Sequence, residues 1–369
     1  MPHEISTPVS RRSFIQHTMI GAAGMGLGLT AMGQRERRKL GVALIGLGGY
    51  STGQLGPALR ETKFCELRGV VTGDAAKGRR WARDYGFPES SVYHYDTMAA
   101  IADNPEIDIV YSVTPPGLHL RDVLAGAVAG KHVICEKPMA VSVEECDQMI
   151  AACEAAGVQL SLGYRLHFHP YHQQVKTFAA EQAWGGPIKM SGGFGYRMGS
   201  AWEWRVDKAL AGGGQLMNTG IYVIQSALMA KGEMMPVAVT AHEPPKTRPE
   251  YFNEVEETIN FTLEWADGSR LEGTSSGVQG SNDFEAVAPD HRVRMAPAYS
   301  YDRLRMELDR EPQPPLDGFF QQAAQMDAFA ASLLNGQQTI LPGAMGRRDM
   351  QIITAIYEAS RTGKRVTLT

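Results

Sequence analysis

A continuous apolar run, Leu40-Gly41-Val42-Ala43-Leu44-Ile45, breaks directly into Gly46-Leu47-Gly48-Gly49-Tyr50-Ser51, and a helical segment follows. An apolar hexamer without polar alternation reads as a strand buried on both faces. The glycines after it permit a tight turn and let the backbone approach a pyrophosphate, which then sits on the N-terminus of the helix. Gly46, Gly48, Gly49 and Tyr50 are therefore candidate cofactor-binding residues. Ser51 stands where the third glycine of such a turn often is, and the signal draws its weight from its place between a first strand and a helix.

The same alternation continues. Strands are expected at Leu67–Val71, Ile107–Val113, His132–Cys135 and Val158–Leu162, with helices ending near Ala129 and spanning Ser142 to Ala156. Strands spaced by helices imply right-handed βαβ units and a parallel sheet. The second strand ends at Thr72-Gly73-Asp74, with Lys77, Arg79 and Arg80 close behind. A hydroxyl at Thr72 with cations such as Lys77 nearby suits a ribose 2′-phosphate and favours NADP, while Asp74, two residues late for a ribose hydroxyl, keeps NAD open. The strand His132–Cys135 runs into Glu136-Lys137-Pro138, where proline forbids its continuation. Lys137 is thereby fixed at a C-terminal strand end, facing the crevice in which open α/β sheets bind ligands.

With 369 residues, 43% hydrophobic and 21% charged, the chain is long enough for two cores and has an ordinary globular composition. A net charge of −4 and the lack of a basic run give no reason to expect nucleic acid. The four cysteines lack CxxC spacing and read as small buried hydrophobes, since Cys146 and Cys153 sit about 10 Å apart along one helix. Residues 1–33 read as a twin-arginine export signal: Arg11-Arg12 precedes a short glycine-rich apolar run, and residues 34–39 form a basic linker. That leader implies a periplasmic protein exported already folded, with no stable membrane insertion once it is cleaved.

G-L-G-x-x-S, T-P-x-x-L-H from Thr114 to His119, C-E-K-P, G-Y-R ending at Arg165, Trp204-Arg205, and Leu210 to Tyr222 with its triple glycine occur in one order. In that order the chain resembles the glucose-fructose oxidoreductase/inositol dehydrogenase/MocA family, nearest to the glucose-fructose oxidoreductase branch. The resemblance implies an α/β fold, with a Rossmann domain at 40–163 and a substrate-binding and oligomerisation domain at 164–369 built on a large open, mostly antiparallel sheet. It also implies Thr114, His119, Glu136 and Lys137 around the cofactor, Lys137 and Tyr222 as the catalytic pair, and Arg165, His167, Arg205 and Asn218 on the sugar. A homo-dimer or homo-tetramer joined through the open sheet is expected.

Free tyrosine, with a pKa of about 10, is a poor base at neutral pH, and a neighbouring ammonium corrects this by favouring the phenolate. The expected reaction oxidises an aldose at C1 to its lactone and reduces a second sugar such as fructose on a tightly held cofactor. A freely exchanging sugar dehydrogenase and an NAD-dependent glycosidase are the alternatives, the latter disfavoured by Lys137. Asn218 departs from the family's usual aspartate. His167, His169 and His172 invite a metal, but no carboxylate or thiolate is clustered with them, and they read as lining a polar pocket. Farther on, Thr258–Trp265 and Arg270–Glu272 predict a hairpin turning at Asp267-Gly268, and helices are expected at Phe319–Leu334 and Gly346–Ser360. Residues 282–315 show no usable pattern.

Overall fold

The computed structural model describes residues 38–199 and 204–368, so the twin-arginine leader and Arg11-Arg12 lie outside the described residues. The first sheet forms as the apolar runs dictate. β1 (Leu40–Ile45), β2 (Cys65–Val71), β3 (Val92–Tyr93), β4 (Ile109–Ser112), β5 (His132–Cys135) and β6 (Leu160–Leu162) lie in the order β3-β2-β1-β4-β5-β6, all parallel. The order reverses beside β1, so the glycine turn leaves the sheet at its topological switch point. Gly46 adopts φ +96, the left-handed conformation for which glycine is needed. The helix Val143–Ala155 starts where Ser142 accepts a hydrogen bond from the Glu145 amide at 3.2 Å. Its cysteines, like the other two, are buried free thiols.

The second sheet comprises β7 (Lys189–Gly195), β8 (Ala238–His242), β9 (Thr258–Glu264), β10 (Arg270–Ser276), β11 (Ser281–Val287), β12 (Arg292–Met295), β13 (Met306–Leu308), β14 (Glu311–Pro312) and β15 (Val366–Thr367). Their order is β14-β13-β12-β11-β7-β10-β9-β8-β15, antiparallel except where β7 pairs with β10. The expected β9–β10 hairpin is present. The unplaced segment 282–315 supplies most of β11 and all of β12 to β14, strands too short and too polar to announce themselves. Helix Ile221–Ala230 is almost wholly buried against this sheet.

From Lys39 the chain folds as one compact unit. Helix Gln321–Leu334, late in the chain, packs on the first sheet: Ala323, Met326, Phe329 and Ala330 share a core with Leu44, Ile109 and Ile134. Asp327 on its other face accepts hydrogen bonds from the Lys63 and Phe64 amides, each at 2.9 Å. The core of the nucleotide-binding sheet is therefore closed by residues more than 160 positions beyond its last strand. Met326 has no exposed surface, and Met326→Ala should lower the unfolding free energy by about 2–5 kcal/mol. Denaturant unfolding followed by a probe in the same core, such as Trp81, checks this; an effect below about 1 kcal/mol would mean that the helix is not part of that core.

Candidate active site

Around the first turn, the structure leaves room for a ligand. A Cβ at Gly48 or Gly49 would meet nothing within 4 Å, whereas one at Gly46 would press on Thr114 and the Val113 carbonyl. The turn is thus packed behind and open in front. Lys77 reaches back to donate to the Leu47 carbonyl, which sets its ammonium over the turn. Thr72 is buried, its hydroxyl accepting from the Asp74 amide at 3.2 Å, and Asp74 caps the next helix by accepting from the Lys77 amide at 2.9 Å. Open glycines, a helix N-terminus and an adjacent cation fit a dinucleotide phosphate.

Beyond the strand ends lies a cleft of about 540 Å³. Tyr50, Thr114, Glu136, Lys137, Arg165, Arg205, Asn218 and Tyr222 all line it, so eight of the anticipated residues meet there. Lys137 donates from Nζ to the backbone carbonyl of Asn218 at 2.9 Å, and that ammonium stands 4.5 Å from the centre of the Tyr222 ring. Arg165 stacks its guanidinium 4.9 Å from the same ring on another side. Burial pushes the Tyr222 phenol up, but Arg165 first and Lys137 second pull it below its ordinary value of 10, against Glu136. Glu136 is raised above the usual carboxylate value by burial, although Tyr111 donates to it at 2.7 Å and Lys137 is adjacent. Gln325 in turn donates to the Tyr111 hydroxyl at 2.8 Å, so the late helix also fixes Glu136.

Residues 216–222 do not form the regular turn that places i and i+4 on one line. Leu216–Gly220 is a wide π-type turn, and the α-helix begins only at Ile221. Glu256 holds that turn by accepting from the Gly214 amide at 2.7 Å and the Leu216 amide at 2.8 Å. A Cβ on Gly214 would lie 2.1 Å from the Glu256 carbonyl, which explains the glycine there. Asn218 donates through Nδ2 to the Tyr196 hydroxyl (2.9 Å) and to Gln215 Oε1 (3.3 Å).

Two expectations are corrected. His119 has no exposed surface; its ring meets the carbonyls of Pro138 (3.0 Å), Met139 (3.1 Å) and Thr114 (2.8 Å). It ties the loop after β5 to the loop after β4 and has no face left for a cofactor. His167 lies behind Tyr222 rather than in the cleft: Nε2 pairs with Gln225 Oε1 at 2.7 Å, and Nδ1 faces Lys176 Nζ at 3.2 Å. Gln225 also donates to Asp349, which binds Tyr164 and Arg348. Of the other histidines, His169 caps its helix by accepting from the Tyr171 amide, and His172 is wholly buried. Among the described residues no group of three or more His, Cys, Asp or Glu is placed to hold a metal ion.

Residues 282–302 were missed. They deliver Asn282, Tyr299, Ser300, Tyr301 and Asp302 to the cleft wall, with Phe194 and Tyr196 from the end of β7. Their only sequence signal is a cluster of tyrosine, serine and aspartate after a short polar strand, which is also what an ordinary loop looks like.

The fold and the cleft at its strand ends define an oxidoreductase dependent on a nicotinamide dinucleotide. The chain belongs to the GFO/IDH/MocA oxidoreductase family: residues 40–164 match the family's NAD-binding Rossmann fold and 172–294 its C-terminal domain. It is 37% identical to the aldose-aldose oxidoreductase of Caulobacter crescentus, whose structure with glycerol superposes with a TM-score of 0.86 over 90% of this chain and all of that one. It is 28% identical to the NADP-dependent D-xylose 1-dehydrogenase of Haloarcula marismortui over 88% of this chain and 92% of that protein. Levoglucosan dehydrogenase in complex with NADH and levoglucosan shares the fold, with a TM-score of 0.77 at 21% identity.

Burial holds the His167 imidazole down to about 4 from its ordinary 6.5, with Lys176 also opposing its protonation. Between those two values the unfolded chain carries a proton that the folded chain does not, so stability falls as pH drops from 6.5 toward 4. His167→Gln should flatten that slope by up to about 1.4 kcal/mol per pH unit. Urea unfolding at pH 4.5, 5.5 and 7 compares the two proteins; parallel slopes would show that His167 is not buried neutral.

Proposed function

We propose that this protein is an exported sugar oxidoreductase that holds NADP tightly and uses it in two half-reactions, oxidising one aldose at C1 to its lactone and reducing a second carbonyl sugar to a polyol. The observation that carries the reading is the cleft in which Lys137 and Arg165 flank the single phenol of Tyr222 at the nucleotide end of the sheet. When bound, the nicotinamide supplies the hydride acceptor for the first half-reaction and the donor for the second. Tyr222 takes the proton of the C1 hydroxyl as that carbon is oxidised, and returns it to the carbonyl oxygen of the second sugar. Lys137 donates to the reacting oxygen and favours the phenolate form of its partner. Asn218, Arg205 and the 299–302 loop orient the remaining hydroxyls. Tyr301 and Trp204 offer the aromatic faces that sugars stack on.

The choice of NADP rests on Thr72, Lys77 and the neighbouring arginines, and agrees with the cofactor named for the xylose dehydrogenases. Export through the twin-arginine route supports a retained cofactor, because a periplasmic enzyme that released it would turn over once. The likeness to an aldose-aldose oxidoreductase favours the two-sugar reaction. The likeness to D-xylose 1-dehydrogenase favours the second reading, a freely exchanging NADP-dependent aldose dehydrogenase.

Purification without added nucleotide, followed by denaturation and chromatography, separates the two. Stoichiometric NADP(H) with parallel-line kinetics for paired sugars supports the retained cofactor; an empty protein that needs added NADP supports the second reading. In either case Tyr222→Phe should lower kcat by about 10²–10⁴-fold, measured by steady-state or single-turnover assay. A variant with unaltered turnover would remove Tyr222 from the chemistry.

A further inference from the structure

Arg165 was expected to hold a sugar hydroxyl, but three of its four terminal N–H groups are already committed to other parts of the protein. Nη1 donates to the Ser300 carbonyl at 3.1 Å and to Gln321 Oε1 at 2.5 Å, and Nη2 donates to the Tyr299 carbonyl. The residue is 2% exposed. All of these acceptors are neutral, and no carboxylate among the described residues is within ion-pair distance of it. A guanidinium cannot shed its proton to escape burial as a lysine can, so its charge has to be answered in place. What remains against it are two aromatic rings: Cζ lies 4.6 Å from the centre of Tyr301 and 4.9 Å from that of Tyr222.

We propose that the phenolate of Tyr222 is the counter-ion of Arg165, which makes Arg165 a positioning residue that keeps Tyr222 ready as a base rather than a ligand for the substrate. This deepens the reading of Tyr222 as the proton acceptor and rests on it. The other groups around Tyr222 leave it the part. Lys137 is a second cation, engaged with the Asn218 carbonyl, and Glu136 is the one carboxylate that opposes. Tyr50, Tyr299 and Tyr301 are all pushed up as neutral phenols, and His167 behind the ring is neutral. Of the four phenols in this cluster, only Tyr222 is displaced downward.

The test is an ultraviolet titration of tyrosinate absorbance near 295 nm on the protein as purified, with the Tyr222→Phe spectrum subtracted to isolate one of the 13 tyrosines. Wild type should show a Tyr222-dependent ionisation below the ordinary value of about 10. Arg165→Met should raise it by about 1–3 pH units and shift the acidic limb of kcat/KM in step. Arg165→Lys, which returns an ammonium that the Tyr222 phenolate itself keeps protonated, should bring it back from the Arg165→Met value toward wild type. The lysine variant also guards against a methionine variant that does not fold. A Tyr222 ionisation at the same pH in wild type and Arg165→Met, or one in Arg165→Lys as high as in Arg165→Met, would overturn the proposal. A low ionisation that follows Arg165 while Tyr222→Phe keeps full turnover would uphold the pairing and sink the catalytic reading, so the two can fail separately.

Discussion

Two cations press on one buried phenol, and much of the architecture holds them there. Neither Lys137 nor Arg165 would stay beside the other unaided, because like charges at close range repel. Lys137 is held by its position at the end of β5, by Pro138 after it, and by the Asn218 carbonyl. Arg165 follows β6 and is gripped by carbonyls of the 299–300 loop and by Gln321. The first sheet therefore delivers both charges, the helix packed on the second sheet delivers the phenol, and a helix near the C-terminus binds them together.

That arrangement explains why helix Gln321–Leu334 returns to the nucleotide-binding sheet. Met326 and Phe329 close its apolar core, Asp327 ties down the turn before β2, Gln325 fixes Tyr111 beneath Glu136, and Gln321 holds Arg165. One helix thus serves the core with one face and the site with another. The residues that touch the cleft from 282–302 are carried by the sheet edge nearest to it, so loop and helix reach Arg165 together.

The sequence made the parallel sheet legible because its strands are buried on both faces and its turns are marked by glycine and proline. Lys137 could be placed at the crevice because it ends a strand, whereas Tyr222, Arg165, Arg205 and Asn218 were brought to the same site only by the family resemblance. What each does was harder to read. His119 and His167 carry chemistry-bearing side chains in the right segments, yet burial and neighbours direct them to backbone carbonyls and to a buried network, which no local pattern reveals. The π-type turn at Leu216–Gly220 has no local sequence signal, since the turn is held by the distant Glu256 carboxylate. The tyrosines at 299 and 301 were invisible because irregular strands give no periodicity to follow.

Asn218 bears on the charge balance of the whole cleft. An aspartate there would add an anion beside Lys137. With an amide in its place, the negative charge that answers Lys137 and Arg165 is left to Glu136 and Tyr222. Tyr222 is the ionisable side chain in contact with both cations. The amide hydrogens of Asn218 go to Tyr196 and Gln215, so it shapes the cleft without contributing charge. An amide at 218 and a guanidinium at 165 with no carboxylate beside it act in the same direction, and both favour negative charge on the Tyr222 oxygen.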